Sequence, residues 1–203
     1  MKNCALFLIL CILICLNTFS QKIRFVNEKW EELDHNNLLY EFQKQYDHIR
    51  DSFGLSRLKF NMTCDSVANG HAIYMAKTGD FQHGKGNLRF TEKVENTLGR
   101  KLRNDLNQEF FCENIFKIPS VYWPKKLRDD IPKGYIEKQI GDFHASLFLG
   151  NDISYRDLVK YLIDGWMESP GHRKILLHDK KSQFSIACKA SSDNCFYACF
   201  NAY

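Results

Sequence analysis

A carboxylate and an imidazole held together supply donors for a divalent metal and the acid–base groups of hydrolysis. Glu168 and His172 stand four residues apart in the run Trp166-Met167-Glu168-Ser169-Pro170-Gly171-His172-Arg173. Pro170 cannot continue a helix, and Gly171 permits a turn with φ > 0. The run therefore predicts a helix end and a tight corner that holds His172 in place. Ser169 beside His172 offers a Ser–His pair, but no third member of a triad can be assigned. Arg173 is expected to tie the corner down through bonds to a carboxylate or a carbonyl. Cys112, next to Glu113, is a thiol that could act as a nucleophile with His83 as its base. Each group also has an ordinary role. His83, next to Gly84, suits a cap or a surface position. Glu113 suits a buried carboxylate satisfied by backbone N–H groups, since a buried charge must be paired. His172 suits a cation at a helix C-terminus. His71 falls on an apolar helix face and reads as a core histidine bonded locally.

These residues lie far apart in sequence, so only the fold can assemble them. Leu38, Leu39, Phe42, Tyr46, Ile49 and Phe53 recur at helical spacing up to Gly54. Cys64, Ala68, His71 and Met75 line one face of a second helix that Gly79 stops. Leu98, Leu102 and Leu106 hint at a third. The run 110–116 has β character around Glu113. Ser154 and Asp157 form a capping box for a helix carrying Tyr155, Leu158, Val159, Leu162 and Trp166 on one side. Near the end, 184–188 and 195–200 flank a turn-rich stretch, which predicts a hairpin. Helices followed by mixed strands and helices predict a layered α+β domain. The segment 117–151, with Pro119, Pro124 and Pro132 and the aromatic pair Tyr122-Trp123, reads as a long insertion. Such an insertion is either functional or a connection packed over the core.

Lys2 precedes an apolar run over 4–16 and then Asn17-Thr18-Phe19-Ser20, the layout of a signal peptide cut after Ser20. Thirteen apolar residues fall short of the roughly 18 needed to cross a bilayer. The remaining 183 residues suit one domain. Loss of Lys2 lowers the formal charge from +4 to +3. The basic clusters at 100–103, 125–128 and 180–181 are short and scattered, which argues against a nucleic-acid partner. Five cysteines remain after removal of the leader: Cys64, Cys112, Cys188, Cys195 and Cys199. In an oxidising compartment some pairing is expected, and the odd count leaves at least one thiol over. A turn centred on Ser191 and Ser192 puts Cys188 opposite Cys195, where a cross-strand disulfide is feasible. Cys64, on a core face, is expected to be free. Asn61-Met62-Thr63 is a glycosylation sequon.

Four segments, in order, resemble the CAP/SCP family of cysteine-rich secretory and pathogenesis-related proteins. The helix with Ala68, His71-Ala72 and Met75 resembles the family's H-A-x-x-M helix. Asp80-Phe81-Gln82-His83 resembles the segment ending in its first cavity histidine. Cys112-Glu113-Asn114-Ile115 resembles G-E-N-I, with Cys in place of Gly. Ser169-Pro170-Gly171-His172-Arg173 resembles the second histidine motif of the compact, bacterial-type branch. The resemblance spans 38–203. It implies a three-layer α-β-α sandwich around a mixed or antiparallel sheet. It also implies an open cavity lined by His83, His172 and Glu113, supported by Asn114, Ser169 and Arg173. The family's second cavity acid falls at Ser169 here, with Glu168 one residue early as a substitute. Two imidazoles and one or two carboxylates suit zinc with an open position for water. The functions so implied are secreted binding of a lipid or sterol-like ligand, or of an extracellular protein partner, by a monomeric scaffold. The alternative is a metal- or thiol-dependent hydrolase in the same cavity, with Glu113 as base.

Overall fold

The structure is a computed structural model that describes residues 22–83, 112–118 and 142–203. The signal segment, the third helix and the basic clusters at 100–103 and 125–128 lie outside the described residues. Short strands β1 (Lys22–Ile23), β2 (Phe25–Val26) and β3 (Lys29–Trp30) lead into helix α1 (His35–Ser52). Asp34 caps that helix, accepting from the Asn37 N–H at 3.0 Å. Leu38, Phe42, Tyr46 and Arg50 form one fully buried stripe at i+4 spacing. Phe53, expected on that stripe, is exposed, because the helix ends at Ser52 and Gly54 turns away at φ 67°.

Strand β4 (Lys59–Phe60) precedes helix α2 (Met62–Thr78). Asn61 caps α2 by accepting from the Cys64 N–H at 3.1 Å, and its Nδ2 donates to Gln183 Oε1. The sequon amide is thus already engaged at both atoms. Gly79 closes α2 in the left-handed region at φ 72°. Strand β5 (Cys112–Ile118) then carries Glu113, followed by α3 (Asp142–Leu149) and β6 (Ile153–Ser154). Of the segment 117–151, residues 117–118 end β5 and 142–149 form α3, while 119–141 lie outside the described residues. Ser154 caps α4 (Tyr155–Glu168) as expected, with its hydroxyl accepting from Asp157 N at 3.1 Å. Helix α5 (Pro170–Leu176) and the hairpin β7 (Gln183–Ala190) and β8 (Phe196–Ala202) complete the chain.

The main sheet runs β4-β7-β8-β5, with β4 parallel to β7 and the other pairs antiparallel. Alternation along β7 and β8 divides the core in two. Phe184, Ile186, Cys188, Phe196, Ala198 and Phe200 pack with α1 and α4. Ala187, Cys195, Tyr197 and Cys199 pack under α2. The result is the α-β-α sandwich with a mixed sheet. The Phe42 ring lies 5.6 Å from both Phe184 and Phe200, and Trp166 packs tilted against Phe200 with centroids 5.9 Å apart. Trp166 Nε1 donates to the Ile115 carbonyl at 3.1 Å, tying α4 to β5.

The hairpin register corrects the disulfide expectation. Ala190 pairs with Phe196 and Cys188 with Ala198, so the loop is 191–195 and not a tight turn at Ser191-Ser192. Cys188 and Cys195 face opposite sides of the sheet, and all five described cysteines are free thiols. Burial pushes Cys188 up to about 12, which leaves it inert.

Candidate functional site

The candidate site grows from β5. Glu113 pairs with Asn201 of β8 and points under α2, with its side chain only 2% exposed. A carboxylate this deep needs partners, and each neighbouring element supplies one. Cys199 of β8, fully buried, donates its thiol to Glu113 Oε2 at 3.2 Å. His83 Nδ1 lies 3.2 Å from Glu113 Oε1, and the His83 ring is 54% exposed. His71 of α2 reaches within 4.0 Å of the same oxygen, while its Nε2 bonds the Gln82 carbonyl at 2.9 Å. The short segment from Gly79 to His83 is pinned where it leaves the helix. Asp80 accepts from Tyr74 Oη at 2.5 Å and from Gln82 Nε2 at 2.8 Å.

His172 comes from the other side. Pro170 starts helix α5 instead of stopping one, occupying its first turn where a missing N–H costs nothing. Gly171 is helical, and the expected φ > 0 turn is absent there. His172 therefore sits in the first turn of α5, half-buried. Its carbonyl accepts from Asn114 Nδ2 at 3.0 Å, which locks α5 to β5 beside Glu113. Burial, and then the nearby charge of His83, hold the His172 imidazole below its ordinary value. The two imidazoles thus flank the corner where Glu113 lies, and His172 is kept neutral.

Two residues expected at the site stay out of it. Glu168 is exposed at the end of α4, where its field acts on Tyr161. Arg173 is also exposed. The corner is tied down instead by Arg50, which sequence reasoning missed. Its buried guanidinium donates to Leu176 O at 2.8 Å, to Ser56 O at 2.6 Å and to His178 O at 3.3 Å. Tyr46 Oη donates to the same Leu176 carbonyl at 2.8 Å. The signal was a cation on the Leu38-Phe42-Tyr46 stripe, since a buried charge there must meet the carbonyls of a helix end. Cys199 was missed because its partner Glu113 is 86 residues away, and only strand register joins them.

The thiol and serine readings find no support in this geometry. Cys112 alternates to the face of β5 opposite Glu113 and His83. Ser169 makes no side-chain capping bond. The donor types present, imidazole, carboxylate and thiol, are ones zinc takes, but they are bonded to one another here. Both Glu113 oxygens are engaged, and among the described residues no three His, Cys, Asp or Glu side chains converge to hold an ion. No chemical step is therefore routed through a metal.

Comparison with known proteins agrees with this architecture. The sequence model of the cysteine-rich secretory protein family, CAP, matches residues 44–202. No curated protein matches the sequence. Among solved structures, an outer surface protein from Borrelia burgdorferi is similar at 12% identity and a TM-score of 0.54, covering 85% of this chain and 96% of that one. An extracellular SCP-domain protein from Bacillus anthracis is similar at 17% identity and a TM-score of 0.48, over 82% of this chain. A cysteine-rich secretory protein from Staphylococcus aureus is similar at 20% identity and a TM-score of 0.43, over 86%. This chain spans 40% of each of those two proteins. At 12% identity the likeness to the Borrelia protein speaks for the fold alone. With the family match over most of its length and the α-β-α sandwich built as described, the chain belongs to the cysteine-rich secretory protein (CAP) family.

Proposed function

We propose that this chain is an exported binding protein that presents the His83–Glu113–His172 corner to an extracellular protein partner, and that it is not an enzyme. The observation that carries this reading is the closure of Glu113: His83 holds one oxygen and the Cys199 thiol the other. A general base must face its substrate, and Glu113 is buried with a protein partner on each oxygen. What reaches solvent is the half-exposed His83 ring, on a segment fixed by Asp80. A rigid, exposed polar side chain over a closed interior suits docking better than turnover. A small lipid or sterol-like molecule is the other occupant the family resemblance implies. The leader at 1–20 supports export, and no described helix is long and apolar enough to cross a membrane.

The test is turnover of p-nitrophenyl esters and casein, with and without added zinc, by the chain beginning at Gln21 and by its His83→Ala/His172→Ala variant. The expected result is no activity that separates the two proteins. Hydrolysis that the double variant abolishes would put the hydrolase reading in place of this one. N-terminal sequencing of the exported protein should begin at Gln21; an intact leader would remove the export assignment.

A further inference from the structure

A second recess lies away from His83, near the tip of the β7–β8 hairpin. The end of β7, the last turns of α2 and the β2–β3 hairpin border an open recess of about 550 Å³, within the range of small-molecule sites. Ile73 and Ala76 of α2 and Ala190 of β7 line it with carbon, and Lys77 and Lys189 line it with cations. The β2–β3 hairpin closes the side with Lys29 and Trp30. These walls are fixed in advance. Trp30 packs on Phe196 with ring centroids 5.3 Å apart. Asn194 Nδ2 donates to the Glu28 carbonyl at 3.0 Å, across 166 residues of sequence. Asn27 and Glu28 make the turn with φ of 51° and 62°.

The charge in the recess is unbalanced. Three lysines line it against one acid, Glu32. Lys189 is only 18% exposed, and its Nζ lies 3.7 Å from Glu32 Oε1; the Glu32 side chain is 86% exposed. A carboxylate therefore already meets the half-buried Lys189, but from an exposed side chain through one long contact. Such a pair is weak and exchangeable. Glu32 marks where an acid group can sit, and the carbon-lined wall beside it takes an apolar body.

We propose that this recess binds a small organic anion with an apolar body, whose acid group replaces Glu32 on Lys189 with Lys77 nearby. The site is separate from the His83 corner, so either assignment stands or falls alone.

The probe is 8-anilinonaphthalene-1-sulfonate, an acid group on an apolar aromatic frame, titrated by fluorescence into the chain beginning at Gln21. One saturable site is expected. Lys189→Met and Lys77→Met, which keep the apolar stem, should each weaken Kd about three- to fivefold. Glu32→Gln should tighten it about two- to threefold by removing the competing carboxylate. Because this dye also binds loosened chains, each variant is first required to show the wild-type circular dichroism melt, so that the gain in Glu32→Gln reads on the site and not on misfolding. The anion 4-phenylbutyrate should displace the probe, whereas the neutral 4-phenylbutan-1-ol at the same concentration should not. Absence of saturable binding, equal affinity in all three variants, or equal displacement by the alcohol would each overturn the proposal.

Discussion

Replacement of Arg50 should loosen the corner that carries His172. The guanidinium is fully buried and has no carboxylate partner in its hydrogen bonds, which run to the carbonyls of Ser56, Leu176 and His178. In Arg50→Ala the Leu176 carbonyl keeps Tyr46 Oη, but the carbonyls of Ser56 and His178 lose the donor. Charge-assisted bonds contribute about 1.5–3 kcal/mol each, and an orphaned buried acceptor costs about 1–3 kcal/mol. Two strong bonds and one long shared one, less the cost of burying the cation, give a net loss of about 4 kcal/mol. For a domain of this size that lowers Tm by roughly 8–16 °C. Arg50→Lys keeps the charge but not the fork, and should cost about 1–2 kcal/mol. Circular dichroism melts of the three proteins measure this directly. An Arg50→Ala protein that melts within about 2 °C of wild type would refute the clamp.

Other outcomes follow from single contacts. A Cβ at Gly165 would lie 2.6 Å from Phe116 Cζ, so Gly165→Ala should destabilise by about 1–3 kcal/mol through overpacking; Phe116→Leu in the same chain should recover part of it in urea titration. The folded His172 binds its proton below the ordinary 6.5, so the unfolded chain takes up that proton first. Stability is therefore complete above pH 6.5 and declines as pH falls from 6.5 through the lower folded value. His178 shifts in the same direction, so the check is whether His172→Asn flattens part of that decline, leaving the rest. Peptide mapping without reduction should find Cys188 and Cys195 alkylated; a Cys188–Cys195 peptide would contradict the register.

Legibility in the sequence followed the range of the interaction. Ser154 caps its helix through a partner three residues on, so that motif was readable, whereas the caps at Asp34 and Asn61 were not read. The buried stripes of α1, α2 and α4 follow from 3.6-residue periodicity. Strand alternation named the hairpin but not its register. A shift in the centre of the turn moved Cys188 away from Cys195, because a loop of 191–195 competes with the tighter turn that Ser191-Ser192 suggests. The Pro170-Gly171 pair misled for a related reason. Proline both ends helices and starts them, and Ser169 O accepting from Arg173 N at 2.8 Å shows the second use. At the candidate site, His83, Glu113 and His172 were named from the family resemblance. Arg50 and Cys199 were not, since their roles depend on partners 126 and 86 residues away.

The most direct test of the closed carboxylate is calorimetric titration of zinc into the chain beginning at Gln21, beside the His83→Ala/His172→Ala variant and Cys199→Ala. With both Glu113 oxygens engaged, an ion must first displace His83 or the Cys199 thiol. The account predicts wild-type binding weaker than about 100 µM, with Cys199→Ala, which frees one oxygen, binding more tightly. Micromolar binding by wild type that the double histidine variant abolishes would contradict it, and would make the corner a metal centre.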